Sequence, residues 1–249
     1  MGHAVQGKTV LITGGARRIG AAIARRLHAT GANLMLHYRS SSDDAERLRV
    51  ELEALRPRSV ALVRADLLDL GQLSRMVEET LARFGRLDAL VNNASSFFTT
   101  PMGGITSEAW EDLIGTNLRA PLFLSQAAAP ALRQTRGSIV NITDIHAERP
   151  LLDYAVYSIA KAGLAGLTRS LAQELGPQVR VNAVAPGPIL WPEDTSFDAD
   201  ARQRIIAHTL LKREGTPDDI ATAVRYLIVD AGYVTGETIN VDGGRHAAI

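Results

Sequence analysis

Tyr157 and Lys161 stand four residues apart in "YAVYSIAKAG", a stretch with helical patterning. On a helix that spacing puts the two side chains on one face, a turn apart. A phenol has a pKa of about 10, too high for easy proton release at neutral pH. A neighbouring ammonium favours the tyrosinate and makes the phenol a better acid. Asp144 follows directly on the apolar run "GSIVNIT" (137–143). A phenol, an ammonium and a carboxyl group brought together would form a proton-delivery set. Such a set is needed when hydride adds to the carbon of a C=N or C=O bond and a proton adds to its heteroatom. Taken alone, the tyrosine and lysine would be a plain helix surface and Asp144 a turn cap.

Elements able to hold the set run along the whole chain. Short stretches rich in Val, Ile and Leu recur at 8–13, 33–38, 59–65, 88–93, 137–143, 179–186 and 237–242. Helical patterns fill 19–30, 43–56, 70–84, 107–134, 154–175 and 217–229. Continuous apolar runs, in place of polar–apolar alternation, mark strands covered on both faces. Their alternation with helices predicts an α/β chain: a single-domain, doubly wound parallel sheet of the Rossmann kind over 1–249. Ligands of such sheets bind outside the carboxyl ends of the strands. The segment 186–205, "PGPILWPEDTSFDADARQRI", follows one such end and is expected to be a substrate lid.

The turn after the first strand reads "TGGARRIG" (13–20). Gly14 and Gly20 permit a tight turn and a close approach of the next helix, whose N-terminus, beside Ile19, can hold a pyrophosphate. Arg18 takes the middle position where most such loops carry glycine, and adds a guanidinium fork beside the phosphates. The second strand ends "LHYRSS", so Tyr38, Arg39 and Ser40 stand where an NAD site would place an acid for the ribose hydroxyls. An arginine and serines suit a 2′-phosphate, and the expected cofactor is NADP(H). Asp66, followed by Leu67 in "RADL", either accepts from the adenine amino group or caps the next helix.

Composition narrows the remaining choices. The 27 basic residues equal the 27 acidic ones, so no overall field draws nucleic acid or an acidic membrane. There are 0 cysteines, which excludes disulfides and thiolate chemistry. No apolar run is long enough to span a membrane and the first residues lack a signal-peptide pattern, so a cytoplasmic protein is expected. No His, Asp or Glu spacing suggests a metal. His37 and His146 read as satisfied loop histidines, Trp191 and Tyr154 as pocket edge or packing, Asp153 as an N-cap and "TPDD" (216–219) as a helix start.

The motifs "TGGARRIG", "VNNAS", Asn117 in "GTNLRA", "YAVYSIAK" and "VNAVAPGPI" occur in one order across the chain. Together they resemble the short-chain dehydrogenase/reductase family. The resemblance implies that Asn93, Ala94 and Ser95 line the cofactor and that Pro186 and Gly187 border the nicotinamide. It further implies that Lys161 binds the nicotinamide ribose, that Asn117 holds a water in a proton relay, and that the protein is a homotetramer. Within the family the chain is most similar to the pteridine reductases: Arg18 lies in the glycine loop, "HYRSS" follows the second strand, and Asp144 stands where most members carry serine. That likeness implies Phe97 of "NNASSFF" stacked on a pterin, with Arg18, Ser95, Asp144 and Tyr157 around it. The expected reaction is NADPH-dependent reduction of dihydropterin or dihydrofolate, with oxidised pterins as further substrates. A carbonyl-reducing member acting on a 3-oxoacyl thioester, sugar or steroid, and a non-catalytic NADP(H) sensor, are the alternatives. The compact substrate segment, a shorter "HYRSS" and a tail, "VDGGRHAAI", without a terminal arginine depart from the protozoan enzymes.

Overall fold

The structure is a computed structural model that describes residues 5–191 and 197–248. The strands are β1 (Thr9–Ile12), β2 (Asn33–Tyr38), β3 (Val60–Arg64), β4 (Ala89–Asn92), β5 (Ser138–Ile142), β6 (Arg180–Pro186) and β7 (Thr238–Val241). The helices are α1 (Arg18–Ala29), α2 (Ser42–Leu55), α3 (Leu70–Phe84), α4 (Ser107–Ile114), α5 (Ala120–Thr135), α6 (Ala155–Leu175), α7 (Ala199–Ala207) and α8 (Pro217–Val229). The strands form one sheet of order β3-β2-β1-β4-β5-β6-β7. Every pairing is parallel.

The apolar runs work because each strand from β1 to β6 feeds two cores. In β1, Val10 and Ile12 point into the layer that holds Ile23 and Leu27 of α1 and Val224 and Leu227 of α8. Leu11 points the other way, among Leu73 and Met76 of α3 and Leu124 of α5. All of these side chains are fully buried, and each burial is worth about 1.5–3 kcal/mol. The strand order reverses between β1 and β4, which opens the crevice where such sheets bind nucleotides. Buried amides brace the neighbouring β4–β5 pair against α6. Asn92 Nδ2 donates to Asn141 Oδ1 at 2.8 Å, and Asn141 Nδ2 donates to Thr168 Oγ1 at 2.9 Å.

Four local expectations change. The single helix over 107–134 is two helices, α4 and α5, joined by a π-helical turn, Gly115–Arg119. An extra residue in one turn leaves the hydrophobic period almost untouched, so the pattern alone reads as continuous. The expected lid contains α7, which starts where Asp198 Oδ1 accepts from Ala201 N at 2.7 Å; residues 192–196 of that segment lie outside the described residues. Asp153 is not an N-cap: it sits at φ +63°, and Tyr154 precedes α6 with no side-chain cap. The helix after β3 is capped by Asp69 and not by Asp66. The "TPDD" start holds, as a capping box between Thr216 and Asp219. Among the described residues no helix is long and apolar enough to cross a membrane.

Candidate active site

A cleft of about 720 Å³ opens at the carboxyl ends of the strands, over the crevice between β1 and β4. Gly14, Arg18, Ile19, Gly20, Tyr38, Arg39, Ser40, Asp66 and Leu67 line one end. Asn93, Ala94, Ser95, Phe97, Asp144, Tyr157, Lys161, Pro186 and Gly187 line the middle and the other end. Asn117 stands behind the wall and is buried.

The first end is shaped by the absence of side chains. Gly14 turns at φ +60°, and a Cβ there would lie 3.0 Å from Ala94 Cα. A Cβ on Gly20 would lie 2.1 Å from the Gly14 carbonyl oxygen, so only glycine lets α1 come this close to β1. Asn93 Nδ2 ties the two strand ends by donating to the carbonyls of Thr13 at 2.9 Å and Gly14 at 3.0 Å. His37, expected as a satisfied loop histidine, is satisfied but lies in β2, where it is a pin for this turn. Gly14 N donates to His37 Nδ1 at 3.1 Å, which puts the ring proton on Nε2, 3.1 Å from the Ala65 carbonyl it donates to. Burial lowers the His37 pKa to about 4, so the ring stays neutral and keeps its acceptor. Glycines and an imidazole are silent about each other in the sequence; only strand pairing brings them together. Asp66 Oδ1 accepts from Leu68 N at 3.0 Å, which holds the carboxylate at the cleft wall.

This end fits a dinucleotide with a 2′-phosphate. The missing Cβ atoms let the N-terminus of α1 sit close against the end of β1, facing the cleft, and Arg39, Ser40 and Ser41 stand together at the start of α2. Lys161 supplies a further sign. It is 2% exposed, and its ammonium donates to the Ile142 carbonyl at 2.9 Å. Burial lowers its pKa to about 8, against an opposing pull from Asp144. A buried ammonium has three donors, and ribose hydroxyls are suited to take the others.

At the other end Tyr157 Oη donates to Asp144 Oδ2 at 2.8 Å. Asp144 Oδ1 accepts from His146 N at 2.8 Å and starts a short 3₁₀ turn, Ile145–Ala147. The aspartate is thus both a turn cap and the partner of the phenol. Burial first, then the field of Asp144 and the hydrogen bond to it, hold the Tyr157 phenol well above its ordinary pKa, with Ser95 working against them. The expectation that Lys161 makes this phenol more acidic therefore fails here. The ammonium lies 5.6 Å from the centre of the Tyr157 ring, and the carboxylate bonded to the hydroxyl dominates.

Asn117, in the π-helical turn, accepts from Ser95 Oγ at 2.6 Å and donates to the carbonyls of Ser96 and Leu113, both at 2.9 Å. One amide proton and the amide oxygen hold the 95–96 segment, and the other proton ties Asn117 back to α4. Phe97 stacks on buried Tyr154 with centroids 4.5 Å apart and meets Tyr157 edge-on at 4.8 Å. Tyr154 is packing, and Phe97 is the ring that lines the cleft. Arg18, at φ +52°, reaches across the cleft and donates to the carbonyls of Leu190 at 3.2 Å and Trp191 at 2.9 Å. Trp191 lines the cleft and donates through Nε1 to Glu214 at 2.7 Å. Arg245 also lines it, brought there by the turn after β7; nothing in the spacing of the tail points to that.

The family model described as enoyl-(acyl carrier protein) reductase matches residues 14–246. Pteridine reductase 1 of Leishmania tarentolae is 38% identical, with 94% of each chain covered. The 3-oxoacyl-[acyl-carrier-protein] reductase FabG of Staphylococcus epidermidis is 36% identical over 96% of this chain and 99% of its own. A blue fluorescent protein from a metagenomic library, solved in complex with NADPH, superposes with a TM-score of 0.91 at 37% identity, covering 98% of this chain and 99% of its own. A Serratia marcescens short-chain dehydrogenase/reductase variant superposes with a TM-score of 0.92 at 34% identity, covering 98% and 100%. With motifs, sheet order and relatives in agreement along its length, the chain belongs to the short-chain dehydrogenase/reductase family.

Proposed function

We propose that this oxidoreductase is an NADPH-dependent pteridine reductase that takes dihydropterins and dihydrofolate to their tetrahydro forms. The observation that carries the reading is the 2.8 Å hydrogen bond from Tyr157 Oη to Asp144 Oδ2. Bound NADPH supplies a hydride to a ring carbon of the substrate. Arg39 and Ser40 hold the 2′-phosphate, the glycine turn the pyrophosphate, and Lys161 the nicotinamide ribose. Phe97 offers a flat face to the pterin. Tyr157, whose raised pKa keeps it protonated, delivers the proton to the ring nitrogen, and Asp144 passes a proton taken up from solvent to the phenol oxygen, so that no tyrosinate is left beside the carboxylate.

The charge on Asp144 decides between C=N and C=O chemistry. Carbonyl reduction builds negative charge on oxygen beside the phenol. Two like charges about 4 Å apart repel by about 4 kcal/mol at an effective dielectric of about 20, or about three decades of rate. A ring nitrogen, more basic than a carbonyl oxygen, takes its proton before the hydride arrives and so never carries that negative charge beside Asp144. Reduction of 3-oxoacyl thioesters is the second reading, favoured by the equal nearness of FabG-type relatives. NADPH oxidation with dihydrobiopterin, dihydrofolate and acetoacetyl thioester tests both. The pterins are expected to be turned over faster by at least tenfold, about 1.4 kcal/mol of barrier; a faster thioester rejects the reading. Tight NADPH binding with no turnover of any substrate would favour the sensor alternative.

The quaternary expectation is a homotetramer. Trp110, Leu122, Phe123 and Ile159, on α4, α5 and α6, are exposed apolar side chains of the kind that self-association covers. Light scattering of the purified protein checks it: a tetramer mass is expected, and a monomer mass rejects it.

A further inference from the structure

The substrate end of the cleft contains a guanidinium with no use in the chemistry above. β7 is followed by two glycines at positive φ, Gly243 at +63° and Gly244 at +79°, that fold the chain back on itself. Asp242 fastens the fold by accepting from Gly244 N at 2.9 Å, His246 N at 2.7 Å and His246 Nδ1 at 3.0 Å. The turn places Arg245, half-buried, in the wall of the cleft that Asp144, Tyr157 and Trp191 also line. Its guanidinium makes no hydrogen bond or ion pair with a described residue. The carboxylates that influence it, Asp144 and Asp242, have both oxygens engaged by other donors. The contrast with Arg18 is direct, since that arginine donates to two backbone carbonyls and holds the 190–191 segment.

A planar fork of five donors, partly withdrawn from water and lacking an acceptor, matches a bidentate oxyanion. The 2′-phosphate is taken at the opposite end of the cleft by Arg39 and Ser40, so the anion must come from the substrate. We propose that Arg245 is a substrate-binding residue that takes a carboxylate on the tail of the reduced heterocycle, and that it sorts carboxylate-bearing pterins from uncharged ones. The proposal rests on the pteridine reading and names the substrate class within it. Arg245 acts on affinity and leaves the hydride and proton steps to the groups already described.

The test is steady-state kinetics of the parent, Arg245→Gln and Arg245→Lys with dihydrofolate and with dihydrobiopterin, beside calorimetric titration of the NADPH-loaded proteins with p-aminobenzoylglutamate. In Arg245→Gln the KM for dihydrofolate is expected to rise about tenfold, the scale of one charge-assisted pair. Its kcat stays unchanged, and the KM for dihydrobiopterin moves less than about twofold on the same scale. Arg245→Lys recovers part of the loss, and p-aminobenzoylglutamate binds the parent but not Arg245→Gln. Equal changes for the two substrates, no change for either, or no binding of the tail fragment to the parent overturns the proposal. A parent inert toward both pterins that still binds the fragment through Arg245 rejects the pteridine reading and leaves the carboxylate site standing.

Discussion

The two ends of the cleft are specified in opposite ways. At the cofactor end the decisive feature is missing atoms: Gly20 lies against the Gly14 carbonyl because it has no Cβ. At the substrate end the decisive features are side chains, with the Tyr157 phenol on the Asp144 carboxylate and Phe97 on Tyr154. A backbone-defined site admits one shape and suits a cofactor shared across a family. A side-chain-defined site changes with one residue, and the proposed reading places that residue at 144. The division predicts that damage at one end should spare the other.

The largest effect is expected from Tyr157→Phe. Removing the proton donor should lower kcat by about 10²–10⁴-fold while NADPH affinity, read by fluorescence titration, changes little. An equal loss of NADPH binding would mean the two ends are not separable. Gly20→Ala is the converse. The added methyl meets a backbone oxygen that cannot rotate away, and a misplaced cofactor costs about 10²-fold in kcat/KM. The loss should appear as weaker NADPH binding with the pH profile of turnover unchanged.

His37→Phe probes the cofactor end more finely. It leaves Gly14 N without its acceptor, at a cost of about 1–3 kcal/mol, measurable by denaturant unfolding. His37 has a folded pKa of about 4, below the ordinary value of 6.5. The unfolded chain therefore binds more protons between those values, and this contribution to stability is lost as pH falls from about 6.5 to about 4. His37→Phe should flatten that part of the curve. Lys161→Met is read on the stability of the cofactor-free protein. Lys161 is depressed from 10.5 to about 8, so its burial destabilises the cofactor-free protein below about pH 8, and the penalty is relieved as pH rises toward 10.5. The parent should gain stability over that window relative to Lys161→Met; parallel curves would show that Lys161 is not a buried ammonium.

The sequence is most legible where period and composition do the work. Runs of Val, Ile and Leu mark the strands, most plainly where both faces are covered, and "TGGARRIG" marks the turn because only glycine fits it. Contacts between distant segments are less visible. The π-helical turn at Asn117 hides inside a continuous hydrophobic period, and α7 hides in a segment rich in Pro and acid. The His37 pin depends on β2 lying beside β1, and the place of Arg245 depends on a turn after β7. The Tyr157–Asp144 pair was readable as a set of residue types. Its electrostatics were not, because burial and a direct hydrogen bond outweigh a lysine one helical turn away.

The central claim is that the carboxylate at 144 commits the acid to nitrogen. Asp144→Ser, assayed beside the parent for kcat/KM on dihydrobiopterin and on an acetoacetyl thioester, tests it most directly. The account predicts that the serine variant loses pterin reduction and gains on the thioester, shifting the ratio by at least about tenfold and by up to the three decades set by the like-charge penalty. An unchanged ratio would contradict it.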